Sequence, residues 1–272
     1  MIDHMPHDAR ALSEEDRVPR IRVRDLTVAF GSYVLMSKVS FDVEPGDIFM
    51  IMGGSGCGKS TLLRVLMGLK EPSAGTVQYD GADFWNGTAN TRSELMRGTG
   101  VLFQNGALWS SMTLAENVQL PLQLYTDMDA AMIREYASLK LALAGLAGFE
   151  DYYPSEISGG MRKRAGLARA MALDPPILFL DEPSAGLDPV SSRLLDDLIL
   201  ELRESLGTTF VIVSHELASI FAIANNGIFL DAQTRTATAH GDPNALLRAP
   251  DTEANARLFL TRGGGAKTEA TT

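Results

Sequence analysis

The run Gly53-Gly54-Ser55-Gly56-Cys57-Gly58-Lys59-Ser60 constrains this chain more than any other feature of its sequence. Ahead of it, after the turn residues Pro45-Gly46, stands the continuous apolar segment Ile48-Phe49-Met50-Ile51-Met52, which reads as a strand buried on both faces. Behind it Leu62, Val65, Leu66 and Leu69 recur at helical spacing, and Gly68, Pro72 and Gly75 mark where that helix gives out. Strand, glycine loop and helix are the context in which G-x-x-x-x-G-K-[ST] cradles phosphate, so the run is more than a glycine-rich turn. In such a loop the backbone N–H groups from Gly53 through Ser55, Gly56 and Cys57 to Gly58 close round phosphate oxygens, and the helix N-terminus adds its dipole. Lys59 then reaches the β and γ phosphates, the Ser60 hydroxyl ligates Mg²⁺, and Thr61 follows in the first helical turn.

The rest of the chain divides by hydrophobic pattern. Its 272 residues suit one large domain or two lobes sharing a core. Leu26, Val28 and Phe30 alternate, as do Val39, Phe41 and Val43, while Val77 and Tyr79 lead into the hairpin-turn pair Asp80-Gly81, together a half-exposed antiparallel layer. From about Gly106 to Pro154 strand signals vanish: Thr113-Leu114-Ala115-Glu116 is a capping box and Met132 to Leu146 is helix-rich, so a helical lobe interrupts the sheet domain. A helix from Met161 to Leu173 stops at Asp174-Pro175-Pro176, and strand Ile177–Leu180, helix Val190–Leu206 and strand Phe210–Val213 then alternate as a parallel sheet requires. No internal repeat is visible, residues 1–20 read as a flexible polar leader, and the glycine-rich end from Gly263 to Thr272 reads as a mobile tail.

Two strand ends bring further chemistry toward the glycine loop. Asp181-Glu182 follows an apolar strand, and ligands in open α/β sheets lie at the carboxyl ends of strands. Asp181 would hold Mg²⁺ through water and Glu182 would polarise the attacking water, although an acidic pair can also begin a loop as a simple cap. Ser214-His215 ends the next strand and offers a sensor for a γ-phosphate, where a lone histidine would otherwise be structural. Ile157-Ser158-Gly159-Gly160-Met161 precedes a helix and forms a second anion-receptive N-terminus. A head-to-tail homodimer, in which this second site closes over the nucleotide of the other subunit, lets both sites touch one nucleotide.

Composition excludes several classes. With 34 acidic against 24 basic residues the formal charge is −10, which repels a phosphate backbone and disfavours nucleic acid as a partner. The single cysteine, Cys57, excludes a disulfide framework and a cysteine zinc site, and reads as a small packing residue. His4 and His7 make no coordination set, so Mg²⁺ is the one metal expected. No apolar run approaches the roughly 20 residues that cross a bilayer, and the leader is too polar for a signal peptide.

Ser158-Gly159-Gly160 before Asp181-Glu182, followed by Ser184-Ala185-Gly186-Leu187-Asp188 and Ser214-His215, resembles the nucleotide-binding subunit of an ABC transporter. The resemblance covers nearly all of residues 21–245 and implies an α/β P-loop NTPase with an antiparallel β subdomain, a helical signature lobe at 105–165, and a C-terminal helix and disordered tail over 246–272. It implies ATP with Mg²⁺. Phe30 would stack on adenine, Gln104 would be the Q-loop residue and reach the metal, Ser158 to Met161 would be the signature, Asp188 the D-loop acid and His215 the switch histidine. The signature departs from the usual pattern at Ile157 and Met161, and Phe30 stands where tyrosine is common, but no phosphate-touching group is lost.

Met161, with Phe103-Gln104-Asn105-Gly106-Ala107-Leu108 and Glu116-Asn117-Val118 before Pro121-Leu122, resembles more narrowly the ATPases of MCE-type lipid transporters. That implies ATP hydrolysis driving two integral-membrane permease subunits, an MCE-domain protein and a small STAS-type accessory subunit, with the chain peripheral on the cytoplasmic face of the inner membrane. Another importer class is the nearest alternative. A soluble ABC ATPase of translation or repair would need two cassettes or a long coiled coil, and a small-molecule phosphotransferase would leave the signature unexplained. Arg162 to Arg164 read as a solvated helix face, and Trp109 reads either as lobe core or as an anchor for a permease helix.

Overall fold

Two kinds of strand sequence build two kinds of sheet. The structure, a computed structural model, describes residues 18–261. The alternating segments form an antiparallel sheet of order β2-β1-β4-β5, from β1 (Ile21–Phe30), β2 (Tyr33–Val43), β4 (Ala74–Tyr79) and β5 (Ala82–Asp83). Asp80 and Gly81 both adopt positive φ, 47° and 83°, and pair Tyr79 with Ala82 as a tight hairpin turn requires. In β1 an irregular register around Asp25, φ 49°, resets the alternation so that Ile21, Val23, Leu26 and Val28 are all buried. A further shift after Val28 takes Phe30 off that face and leaves it 53% exposed.

The continuous apolar segments form a six-stranded sheet, β10-β9-β3-β8-β7-β6, parallel except for the β9–β10 pair. Its centre is β3 (Ile48–Gly53), flanked by β8 (Thr209–Val213) and β9 (Asn226–Asp231), with β7 (Ile177–Asp181), β6 (Thr99–Leu102) and β10 (Thr236–His240) outside. All six residues of β3 are buried because both faces are covered. Ile48, Met50 and Met52 join one core with the helical lobe, and Phe49 and Ile51 join a second core with the antiparallel sheet. The side-chain period of two thus divides one apolar run between two cores.

Helix α1 (Lys59–Leu66) leaves the glycine loop and packs in the second core. The exposed α2 (Ala89–Arg97), β9 and β10 lay beyond the sequence reading, α2 because none of its residues is buried. The lobe comprises α3 (Leu114–Tyr125), α4 (Ala130–Leu143) and α5 (Gly159–Ala170), each offset by two or three residues where the sequence had suggested bounds for α4 and α5. The capping box is present: Thr113 Oγ1 accepts from Glu116 N, and Glu116 Oε2 accepts from Thr113 N. Helices α6 (Pro189–Leu206) and α7 (Leu217–Ile223) cover the sheet on the lobe side.

At the C-terminal end, α8 (Pro243–Arg248) spans residue 245, so the expected boundary falls inside a helix. Helix α9 (Ala254–Thr261) buries Ala256 and Leu260 and packs Phe259 on Phe229 with ring centroids 5.4 Å apart. Arg20 is tied to both oxygens of Asp80 at 2.9 Å. Residues 1–17 of the leader and the tail from residue 262 lie outside the described residues. Among the described residues no helix is long and apolar enough to cross a membrane.

Candidate functional site

The glycine loop folds as it does because side chains are excluded at two of its corners. A Cβ on Gly53, φ 147°, would stand 2.5 Å from Leu230 O and 2.6 Å from Cys57 Sγ. One on Gly58, φ 104°, would meet Met36 Cε at 2.7 Å. Gly58 N-caps α1 without a side chain, so the first N–H groups of that helix face the loop. Lys59 Nζ bridges it, donating to Gly53 O at 2.9 Å and Gly54 O at 3.0 Å. The ammonium therefore lies across the space the loop encloses. Cys57 turns away into the second core, 4% exposed, and burial pushes its thiol above the usual range, which fits a packing role.

A cleft of about 750 Å³ opens over this loop. Lys59, Ser60, Thr61, Glu182 and His215 line it together with the loop glycines, and Leu35, Leu217 and Phe259 add apolar wall. The register Asp181↔Val213 brings the ends of β7 and β8 level, so the residues that follow each strand meet. Ser60 Oγ donates to Asp181 Oδ1 at 3.2 Å, which sets two hard oxygen donors side by side at the loop, a pair that suits Mg²⁺. Among the described residues no three His, Cys, Asp or Glu side chains gather, so such an ion would complete its shell from phosphate and water.

Glu182 is the most constrained residue of the site. Its φ of 49° is a left-handed conformation that costs a non-glycine residue about 1–3 kcal/mol, held here by Glu182 N donating to Val213 O at 2.9 Å. Its carboxylate Oε2 lies 2.8 Å from His215 Nδ1 but without hydrogen-bond geometry, so that oxygen is buried with no donor. A carboxylate that lines the cleft and keeps an oxygen with an unshared lone pair is suited to take a proton. His215 is 60% exposed in its side chain and closes the rim.

Other residues singled out from the sequence stand apart from this cleft. Gln104 is exposed and its side chain makes no hydrogen bond among the described residues. Phe30 carries Lys70 Nζ over one ring face, 4.1 Å from the centroid. Ser158 N-caps α5, accepting from Met161 N at 3.2 Å and leaving Gly159 and Gly160 N–H available. Asp188 N-caps α6, accepting from Val190 N and Ser191 N at 3.0 Å, and the Ser191 hydroxyl holds its carboxyl below the usual range. Trp109 is 58% exposed and so does not fill the lobe core, while its neighbour Leu108 packs on that core.

The basic run on α5 is not a solvated face. Arg162 donates to Ile157 O, Arg164 to Ala144 O and Gly145 O, and Lys163, 6% exposed, to Glu182 O and Ala185 O. Arg169 likewise donates to Gly106 O and Ala107 O of the loop after Gln104. Sequence reasoning missed this because a charge run does not tell which carbonyls surround it. The same holds for Leu217 and Phe259, which reach the cleft only through tertiary packing.

The profile of the ABC transporter family matches residues 36–185, more than half of the chain. This chain belongs to the ABC transporter family. A probable ribonucleotide transport ATP-binding protein of Mycobacterium leprae is 41% identical over 219 residues, 79% of this chain, and the chain spans only 63% of that relative's length. The intermembrane phospholipid transport system ATP-binding protein MlaF of Escherichia coli K12 is 38% identical, with 85% of both chains covered. The dimeric structure of MJ0796, a bacterial ABC transporter cassette, superposes with a TM-score of 0.74 at 28% identity over 82% of this chain and 98% of that one. The ABC cassette fold expected from the motifs is borne out.

Proposed function

We propose that this chain is the ATP-hydrolysing subunit of an ABC transporter that moves phospholipid or another hydrophobic substrate between bacterial membranes. The observation that carries the enzymatic part is the Glu182 carboxylate, which lines the cleft over Lys59 and the glycine loop and sets its Oε2 2.8 Å from His215 Nδ1. The loop N–H groups and Lys59 bind the β and γ phosphates of ATP, and Ser60 and Asp181 hold Mg²⁺, which when bound offsets phosphate charge. Glu182 accepts the proton of the water that attacks the γ-phosphorus, giving ADP and inorganic phosphate, and His215 orients the γ-phosphoryl group. Phe30 stacks on adenine with its ring face away from Lys70, and Gln104 closes toward the metal.

Two copies work head to tail, with Ser158, Gly159, Gly160 and Met161 of one, flanked by Asp188, covering the nucleotide of the other. The dimeric cassette MJ0796 supports this assembly. Two permease subunits dock on the lobe beside exposed Trp109, and an MCE-domain protein and a STAS-type subunit complete the system at the cytoplasmic face of the inner membrane. The likeness to MlaF supports the lipid cargo.

Glu182→Gln tests the chemistry. Nucleotide binding stays intact while hydrolysis slows by roughly 10² to 10⁴, the usual worth of a positioned general base. ATP then accumulates a dimer that elutes early in size exclusion. Turnover at the parent rate removes Glu182 from the mechanism.

A further inference from the structure

We propose that Lys163 is a positioning residue for hydrolysis, its buried ammonium fixing the backbone of Glu182 and Ala185 so that the Glu182 carboxylate faces the cleft. This rests on the reading of Glu182 as general base. Lys163 Nζ donates to Ala185 O at 2.6 Å and Glu182 O at 3.3 Å, and the side chain is 6% exposed. It approaches from α5, behind the loop after β7, and is absent from the lining of the cleft, so it reaches the nucleotide only through Glu182.

A buried ammonium is a costly way to gain stability. An apolar side chain of similar volume does that at least as well, and a buried cation is retained where its geometry matters. Here desolvation pulls the ammonium below its usual range, opposed by the nearby charges of Glu216 and Glu182. The geometry in question is the left-handed Glu182, whose carbonyl accepts from both Lys163 Nζ and Ala185 N while its N–H is held from the other side by Val213 O. Residue 182 is thus held on both sides, its N–H donating to Val213 O and its carbonyl accepting from Lys163 and Ala185. Releasing one lets the backbone relax toward ordinary φ and swings the carboxylate off the attacking water. Arg162, the preceding residue on the same helix, cannot substitute, because it is engaged with Ile157 O.

The test is a double-mutant cycle on the full chain, with steady-state ATP hydrolysis as readout. Lys163→Met lowers kcat by about tenfold or more and leaves KM for ATP within about twofold, because the phosphate loop is untouched. In the Glu182→Gln background the same substitution adds less than about twofold, since its effect runs through a carboxylate no longer present. Lys163→Gln, whose amide still donates to one carbonyl, recovers part of the loss. A Lys163→Met protein with parent kcat, or a loss that multiplies undiminished in the Glu182→Gln background, overturns the proposal. Should Lys163→Met fail to fold, Lys163→Leu, which also removes the ammonium, is carried through the same cycle under the same criteria. Slow Glu182→Gln with unimpaired Lys163 variants overturns this proposal alone, whereas Glu182→Gln at the parent rate overturns the reading of Glu182 and the proposal with it.

Discussion

Asp196 on α6 shows how environment outweighs residue type. Its side chain is 9% exposed, and burial, with Glu216 and Asp197 adding repulsion, pushes its pKa up to about 6 against a partial counter-effect from the Ser219 hydroxyl. A carboxyl whose folded pKa lies above its unfolded value favours the fold when protonated. Stability is therefore lost as pH rises from about 4 to about 6 and stays lower above that. Asp196→Asn should raise stability at pH 8 by about 1 kcal/mol, a value discounted for residual solvation, with the gain shrinking toward pH 4. Urea midpoints of the two proteins across that range check it. A gain of equal size at pH 4 and pH 8 would mean that ionisation is not the cause.

At the scale of elements, helix α3 holds the loop before it through one buried side chain. Asn117 is fully buried; its Oδ1 accepts from Trp109 N at 2.7 Å, and its Nδ2 donates to Trp109 O, Met112 O and Thr113 O at 2.9–3.2 Å. This single amide fixes the turn that presents exposed Trp109. Asn117→Ala leaves several buried backbone groups without partners, so it should cost about 3 kcal/mol in chemical denaturation. Hydrogen exchange across residues 109–113 should quicken more than in the sheet, and capture of the proposed permease partner should weaken with it. A loss below about 0.5 kcal/mol, the range of an ordinary surface change, would show that water replaces the amide. Thr113-x-x-Glu116 was legible as a capping box because capping is local, but the work of Asn117 was not, because its partners are set by how the loop folds back.

The whole molecule keeps its two anion-receptive helix ends in different places. The N-terminus of α1 opens on the cleft, and that of α5 contributes nothing to its lining. In the proposed sandwich, Ser158→Arg blocks the partner's site while leaving its own loop intact, and Lys59→Ala does the reverse. Lys59→Ala alone should weaken ATP binding by at least about tenfold, since charge-assisted contacts contribute about 1.5–3 kcal/mol each. Mixing the two inactive proteins should restore up to one functional site per mixed dimer, read as ATP hydrolysis against mixing ratio. No recovery at any ratio, with mixed dimers demonstrated, would exclude the shared sites.

What the sequence determined by itself was whatever depends on neighbours along the chain. The glycine loop between a buried strand and a helix, the Asp80-Gly81 turn and the cap of α3 follow from local conformational preference and periodicity. Tertiary structure decided the rest. Only the parallel register of β7 with β8 brings Asp181 and Glu182 level with His215 and the loop. Only the packing of α5 turns Lys163 and Arg164 from apparent surface charges into buried or half-buried donors for the carbonyls of distant loops. A carbonyl left without a partner by the turn of a loop is invisible in sequence, and the cation that satisfies it is chosen by proximity in space.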